Sequence, residues 1–183
     1  MKTEGSFADL VSPLKRISPA LGGVLEDGGV EILDGRRIWD QAPHNAFTDL
    51  IRFRGRWYCA FREGQGHVSP DGLLRVLVSD DGLEWLPAAH FRSDAADLRD
   101  AALAITPAGD LLLLTAAAMH VKEPVRHQSM VWTSRDGSVW SEPTSVGDPN
   151  VWLWSLTEHA GALYGIGYGT AAERFVRLYR STD

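Results

Sequence analysis

Three groups of polar side chains hold the residues able to do chemistry in this 183-residue chain. The first contains His44, Asn45, Asp49, Arg62, Glu63, His67 and Asp71. The second contains Asp97, Arg99, Asp100, His120, Arg126 and His127, and the third Asn150, Trp152, Tyr168, Glu173 and Arg174. Carboxylates beside imidazoles and guanidinium groups can move protons and hold anions. Trp152 and Tyr168 add aromatic faces on which a ligand with an apolar side can stack while polar groups fix its orientation. Each group also has a structural reading. Pro70-Asp71-Gly72 is an ordinary turn signal. Asp49 and His44 can tie neighbouring sheets together, and Arg62-Glu63 can form an ion pair between sheets.

The elements that must position these groups repeat along the chain. Residues 47–53, a turn at Arg54-Gly55 and residues 56–61 read as a β-hairpin. Residues 101–106, a Pro107-Ala108-Gly109-Asp110 turn and residues 111–116 read as a second. Residues 153–157, a turn at Ala160-Gly161 and residues 162–167 read as a third. The continuous apolar run from Leu111 to Leu114 predicts a strand buried on both faces. After each hairpin come a polar loop and a third strand-like run, at residues 75–78, 130–133 and 177–180. A fourth strand is expected at 84–91 and 139–146.

Between third and fourth strands stands a recurring phrase. It reads Ser79-Asp80-Asp81-Gly82-Leu83-Glu84-Trp85, then Ser134-Arg135-Asp136-Gly137-Ser138-Val139-Trp140, and begins again at Ser181-Thr182-Asp183. Ser and Asp oxygens can accept from nearby amides and close a tight turn. Gly82 and Gly137 supply the positive φ such a turn needs, and Trp85 and Trp140 can pack on a neighbouring sheet. Self-similarity at this spacing, with four antiparallel strands per unit, is the mark of a β-propeller.

The phrase resembles the Asp-box of the sialidase (neuraminidase) superfamily, in a form one residue shorter than usual, and the likeness runs over residues 30–183. It implies an all-β fold: part of a six-bladed propeller, about three blades of four antiparallel strands, and the N-terminal half of the whole. Residues 26–183 would form this incomplete propeller after a poorly ordered tail at 1–25. Residues 30–39 would supply the outer strand of a closing blade. The resemblance places function opposite the boxes, on loops before each inner strand (41–48, 93–100 and 147–152) and between second and third strands (62–72, 119–128 and 168–174). There it implies an exo-acting glycoside hydrolase with Asp71 as acid and Arg62 lining the pocket. Asp49 is the second acid candidate, at the end of the first inner strand. His44, Asn45, Glu63, Asp97, Arg99, Asp100, Trp152 and Tyr168 are candidate sugar contacts. Where the family carries the first arginine of its carboxylate clamp, this chain has Ala46. The remaining clamp arginines and the Tyr nucleophile with its Glu partner would lie after Asp183. The alternative is a non-catalytic propeller that binds glycan or protein through the same loops.

Other classes find little support. A net charge of −6 argues against nucleic acid or an anionic membrane as partner. The single cysteine, Cys59, cannot form an intrachain disulfide and lies in an apolar run that predicts a buried thiol. His120 and His127 lack a metal-ligand spacing, and no phosphate loop or nucleophile elbow is present, so no cofactor or metal is expected. No membrane span or secretory signal is read, which predicts a cytoplasmic product. An unfinished propeller would expose apolar sheet, so self-association or a complementary half is an expected partner beside the glycan.

Overall fold

A computed structural model describes residues 35–182, and every regular element among them is a β-strand. Eleven strands form three antiparallel sheets arranged as successive propeller blades. The first blade is β1 (His44–Phe53), β2 (Arg56–Gly64), β3 (Leu73–Ser79) and β4 (Leu86–Phe91), hydrogen-bonded in chain order. The second is β5 (Ala96–Ile105), β6 (Leu111–Met119), β7 (His127–Ser134) and β8 (Thr144–Val146). The third has β9 (Val151–His159), β10 (Ala162–Gly169) and β11 (Val176–Ser181). The first strands of consecutive blades lie against each other, β1 on β5 and β5 on β9. The expected N-terminal tail lies outside the described residues. So does most of the outer strand expected at 30–39, whose described residues 35–39 carry no strand.

The hairpin turns form as their sequences require. Arg54-Gly55 and Ala160-Gly161 both take two consecutive positive φ angles, 49° and 82° in the first and 51° and 75° in the second. That is the primed turn whose twist matches antiparallel strands. The box turns close on their own side chains. Gly82 N–H donates to Ser79 Oγ at 2.8 Å, while the Leu83 and Glu84 amides donate to Asp81 Oδ1 at 2.8 and 3.0 Å. Gly137, Ser138 and Val139 repeat the pattern on Ser134 and Asp136. These amide bonds, Val139's first, hold the Asp136 carboxyl down at about 2. Trp140 reaches the neighbouring blade, edge-on to Phe91 at 5.4 Å, whereas Trp85 donates to Gly82 O within its own turn. The fourth strand of the second blade is shorter than expected, since only Thr144–Val146 pairs.

Alternation along β6 divides the core in two. Leu111 and Leu113 pack with Tyr58, Leu74, Val76 and Trp132 between the first and second blades. Leu112 and Leu114 pack with Leu153 and Leu163 between the second and third. The middle sheet is therefore buried on both faces, each fully buried leucine contributing about 1.5–3 kcal/mol. The inner strands also begin earlier than their apolar runs suggest, at His44, Ala96 and Val151. All three carry an extra residue toward that end, β9 at Trp154 between Leu153 and Ser155. β1 slips register between Ala46 and Asp49 with Phe47 at φ 59°, and β5 between Arg99 and Ala102 with Asp100 at φ 51°. Such bulges re-aim side chains at a sheet end.

Candidate functional site

Strand direction gathers one end of every blade. The starts of β1, β5 and β9 pair with the ends of β2, β6 and β10, as in His44 opposite Gly64, Ala96 opposite Met119 and Val151 opposite Gly169. The box turns lie at the other end, where Ser79 pairs with Trp57. All candidate residues thus belong to one end of the molecule. His44, Asn45, Asp97, Arg99, Asp100 and Trp152, expected in loops, sit on strands, and Asp49 lies on β1 as expected.

A buried ion network fastens the first two blades beneath this end. Arg62 is fully buried, and its Nε and Nη2 donate to Asp97 Oδ1 at 3.1 and 2.8 Å. Its remaining donors reach Gly66 O at 2.8 Å and Ser69 O and Oγ at 3.2 and 3.1 Å, which shapes the loop after β2. Arg99 Nε closes on the other Asp97 oxygen at 2.6 Å. Each side chain satisfies the others, as buried charges must. Glu63 instead accepts from Arg75 within the first blade, at 2.9 Å.

Three carboxylates then have distinct surroundings. Asp49 is spent on backbone, accepting from Leu50 N at 2.8 Å and across the blade junction from Leu103 N at 2.7 Å. Asp71 accepts from Gln65 N at 3.1 Å, and hydrogen bonding from Ser69 and that amide keeps its carboxyl below the ordinary range. Asp100 is half-buried and takes one side-chain hydrogen bond, from Trp152 Nε1 to Oδ2 at 2.9 Å. Burial pushes its carboxyl up, against that bond and the charges of Arg99 and His67. Among the three, Asp100 is the one equipped to carry a proton.

Aromatic rings of the third blade flank Asp100. Trp152 stacks on Tyr168, centroids 6.4 Å apart and 17° from parallel, and Tyr168 meets Trp154 at 5.8 Å. Trp154 is 62% exposed, the widest free ring face here. On the first-blade side His67 touches both His44 at 5.5 Å and Phe47 at 5.2 Å. His44 Nδ1 is enclosed, with no hydrogen-bond partner among the described residues. Asn45 turns away to donate to Ala42 O at 2.8 Å. His127 lies 5.1 Å from Trp152. An open hollow of about 330 Å³ lies beside Tyr168, lined also by Gly169, Arg174, Phe175 and Val176.

The structure brings together Asp100, Trp152 and Tyr168 from the expected set, sets His44 against His67, leaves Asn45 aside, and turns Arg62, Asp97 and Arg99 into a support. Phe47 and Trp154 are additions. Both occupy bulges, whose effect on side-chain direction an alternation pattern cannot reveal. Among the described residues no group of three or more His, Cys, Asp or Glu is arranged to hold a metal ion.

No family model matches the chain, and no curated protein matches it. Solved structures do resemble it. A Dyadobacter fermentans protein of unknown function superposes with a TM-score of 0.63 at 20% identity, over 76% of this chain and 52% of that one. An N-acetylgalactosamine deacetylase from F. plautii, in complex with blood group B trisaccharide, gives 0.56 at 15% identity over 76% and 50%. A thermostable family-43 glycoside hydrolase gives 0.52 at 13% identity over 74% and 50%. The chain spans about half the length of these structures, and the likeness establishes its fold as part of a β-propeller.

Proposed function

We propose that the end of the propeller around Asp100 is a carbohydrate site, and that the chain belongs to a glycoside hydrolase in which Asp100 donates the proton to the leaving oxygen. One observation carries this reading: a half-buried carboxyl, raised by burial, sits against the Trp152–Tyr168 stack with Trp154 open to solvent. A glycosidase needs an acid held protonated beside a face on which a sugar ring can lie. The aromatic shelf supplies the face and Trp152 aims the carboxyl. A glycoside hydrolase and a deacetylase in complex with a trisaccharide resemble this fold and add support. Exo-acting, sialidase-like cleavage is the narrower form of this proposal, supported by the two box turns. Asp71 and Asp49 are already engaged by backbone amides, which favours Asp100 over them as the acid.

The test is turnover of a panel of aryl glycosides together with glycan binding. Asp100→Asn is expected to lower kcat by about 10²–10⁴-fold while binding persists, and Trp154→Ala to weaken binding. Undiminished turnover in Asp100→Asn would remove the acid assignment. Binding without turnover by the unaltered protein would leave a lectin-like propeller.

A further inference from the structure

We propose that His127 is the proton acceptor of this site, with Nδ1 committed to Thr170 and the Nε2 lone pair presented beside Trp152. The inference rests on the hydrolase reading above, but its first observation does not. The Thr170 hydroxyl donates to the Asn150 carbonyl at 2.9 Å. With the hydroxyl proton so placed, its oxygen meets His127 Nδ1, also 2.9 Å away, with a lone pair, which assigns the ring proton to Nδ1. In the neutral ring that leaves Nε2 as the acceptor. Nε2 makes no hydrogen bond among the described residues, and His127 is half-buried.

The surroundings hold this state. His127 begins β7, and its own carbonyl accepts from Asn150 N at 2.9 Å, so ring and backbone are fixed to the third blade together. Burial lowers its affinity for a proton, and the charged groups acting on it, Arg99, Arg126 and Lys122, push the same way. Its ring touches Trp152, whose Nε1 holds Asp100. One tryptophan thus contacts both a carboxyl pushed up and an imidazole pushed down, the divergence expected of an acid and its base.

The step takes place with a glycoside on the shelf and one water beside it. Nε2 takes a proton from a water whose oxygen bonds to the anomeric carbon. The bond from that carbon to the leaving oxygen breaks, its electron pair goes to that oxygen, and the Asp100 carboxylic acid protonates it. One water is consumed, and the resulting imidazolium and carboxylate return to their starting states by proton exchange with solvent.

The first experiment needs no substrate: long-range ¹H–¹⁵N NMR of the histidine rings at pH 7. The expected result is neutral His127 with its proton on Nδ1, moving toward the Nε2–H form in Thr170→Val. An Nε2–H ring in the unaltered protein overturns the proposal and leaves Asp100 untouched. In the aryl-glycoside assay His127→Gly should lose about 10²-fold or more and regain part of it with added imidazole. The low-pH fall in kcat/KM should lie below the ordinary imidazole value. Full activity in His127→Gly also overturns the acceptor role. If Nδ1–H is found but no variant or parent turns over a glycoside, the hydrolase reading has failed, and the acceptor role with it.

Discussion

Asp49, Asp71 and Asp100 share a side chain and one end of the molecule, yet each does something different, because its neighbours differ. Two amides consume Asp49, a serine and an amide stabilise Asp71 as the anion, and burial outweighs the one side-chain hydrogen bond that Trp152 gives Asp100. The consequence is opposite pH behaviour. The folded value of Asp71 is depressed, so its contribution to stability is present above the unfolded value and is lost as pH falls through the folded one. The folded value of Asp100 is raised, so the folded state binds that proton more tightly and stability falls as pH rises through the interval between the two. A carboxyl NMR titration should therefore place Asp71 below and Asp100 above the ordinary 3.8. The reverse order would take the proton-donor role from Asp100.

At the scale of strands and turns, the feature that places these groups is the Arg62–Asp97–Arg99 network, which joins the end of β2 to the start of β5. Both members of its central pair are withdrawn from water, Arg62 at 0% and Asp97 at 4% side-chain exposure. Removing one partner leaves a buried charge without compensation, so Asp97→Ala should cost about 3–5 kcal/mol, read as a lower urea midpoint with an unchanged slope. A loss below about 1 kcal/mol would be the cost of a solvated pair. This network also marks where sequence reading stopped. Hairpins, box turns and the doubly buried β6 were legible, because apolar alternation, Gly placement and the Ser-x-Asp-Gly phrase are local signals. The pairing of Arg62 with Asp97 spans 35 residues and has no local signal. The polar stretch Asp97–Asp100 looked like loop because its side chains serve an ion network and a bulge, not an apolar face. The same bulges hid Phe47 and Trp154, since a one-residue slip reverses the side to which a strand residue points.

Across the whole molecule the three blades are built to one register. Asp49, Ala60 and Val76 form a cross-strand row in the first, Ala102, Leu114 and Val131 the matching row in the second, and Ser155, Ile166 and Leu178 that of the third. The second blade covers the first row and the third blade covers the second. The third row remains open: Leu114 is 0% exposed, whereas Ile166 is 52% and Leu178 66%. Residues of the same rank in the repeat should therefore differ in energetic weight. Leu114→Ala should cost about 2–5 kcal/mol, because it removes buried methyl groups and leaves a cavity. Leu178→Ala should stay within about 0.5 kcal/mol, as a surface change does. Urea unfolding of both variants beside the parent chain checks this directly. Equal losses would mean that the Ile166–Leu178 face is covered in solution. If the Leu178→Ala loss then grew with protein concentration, the cover would be a second copy of the chain, since only an associating system links stability to concentration.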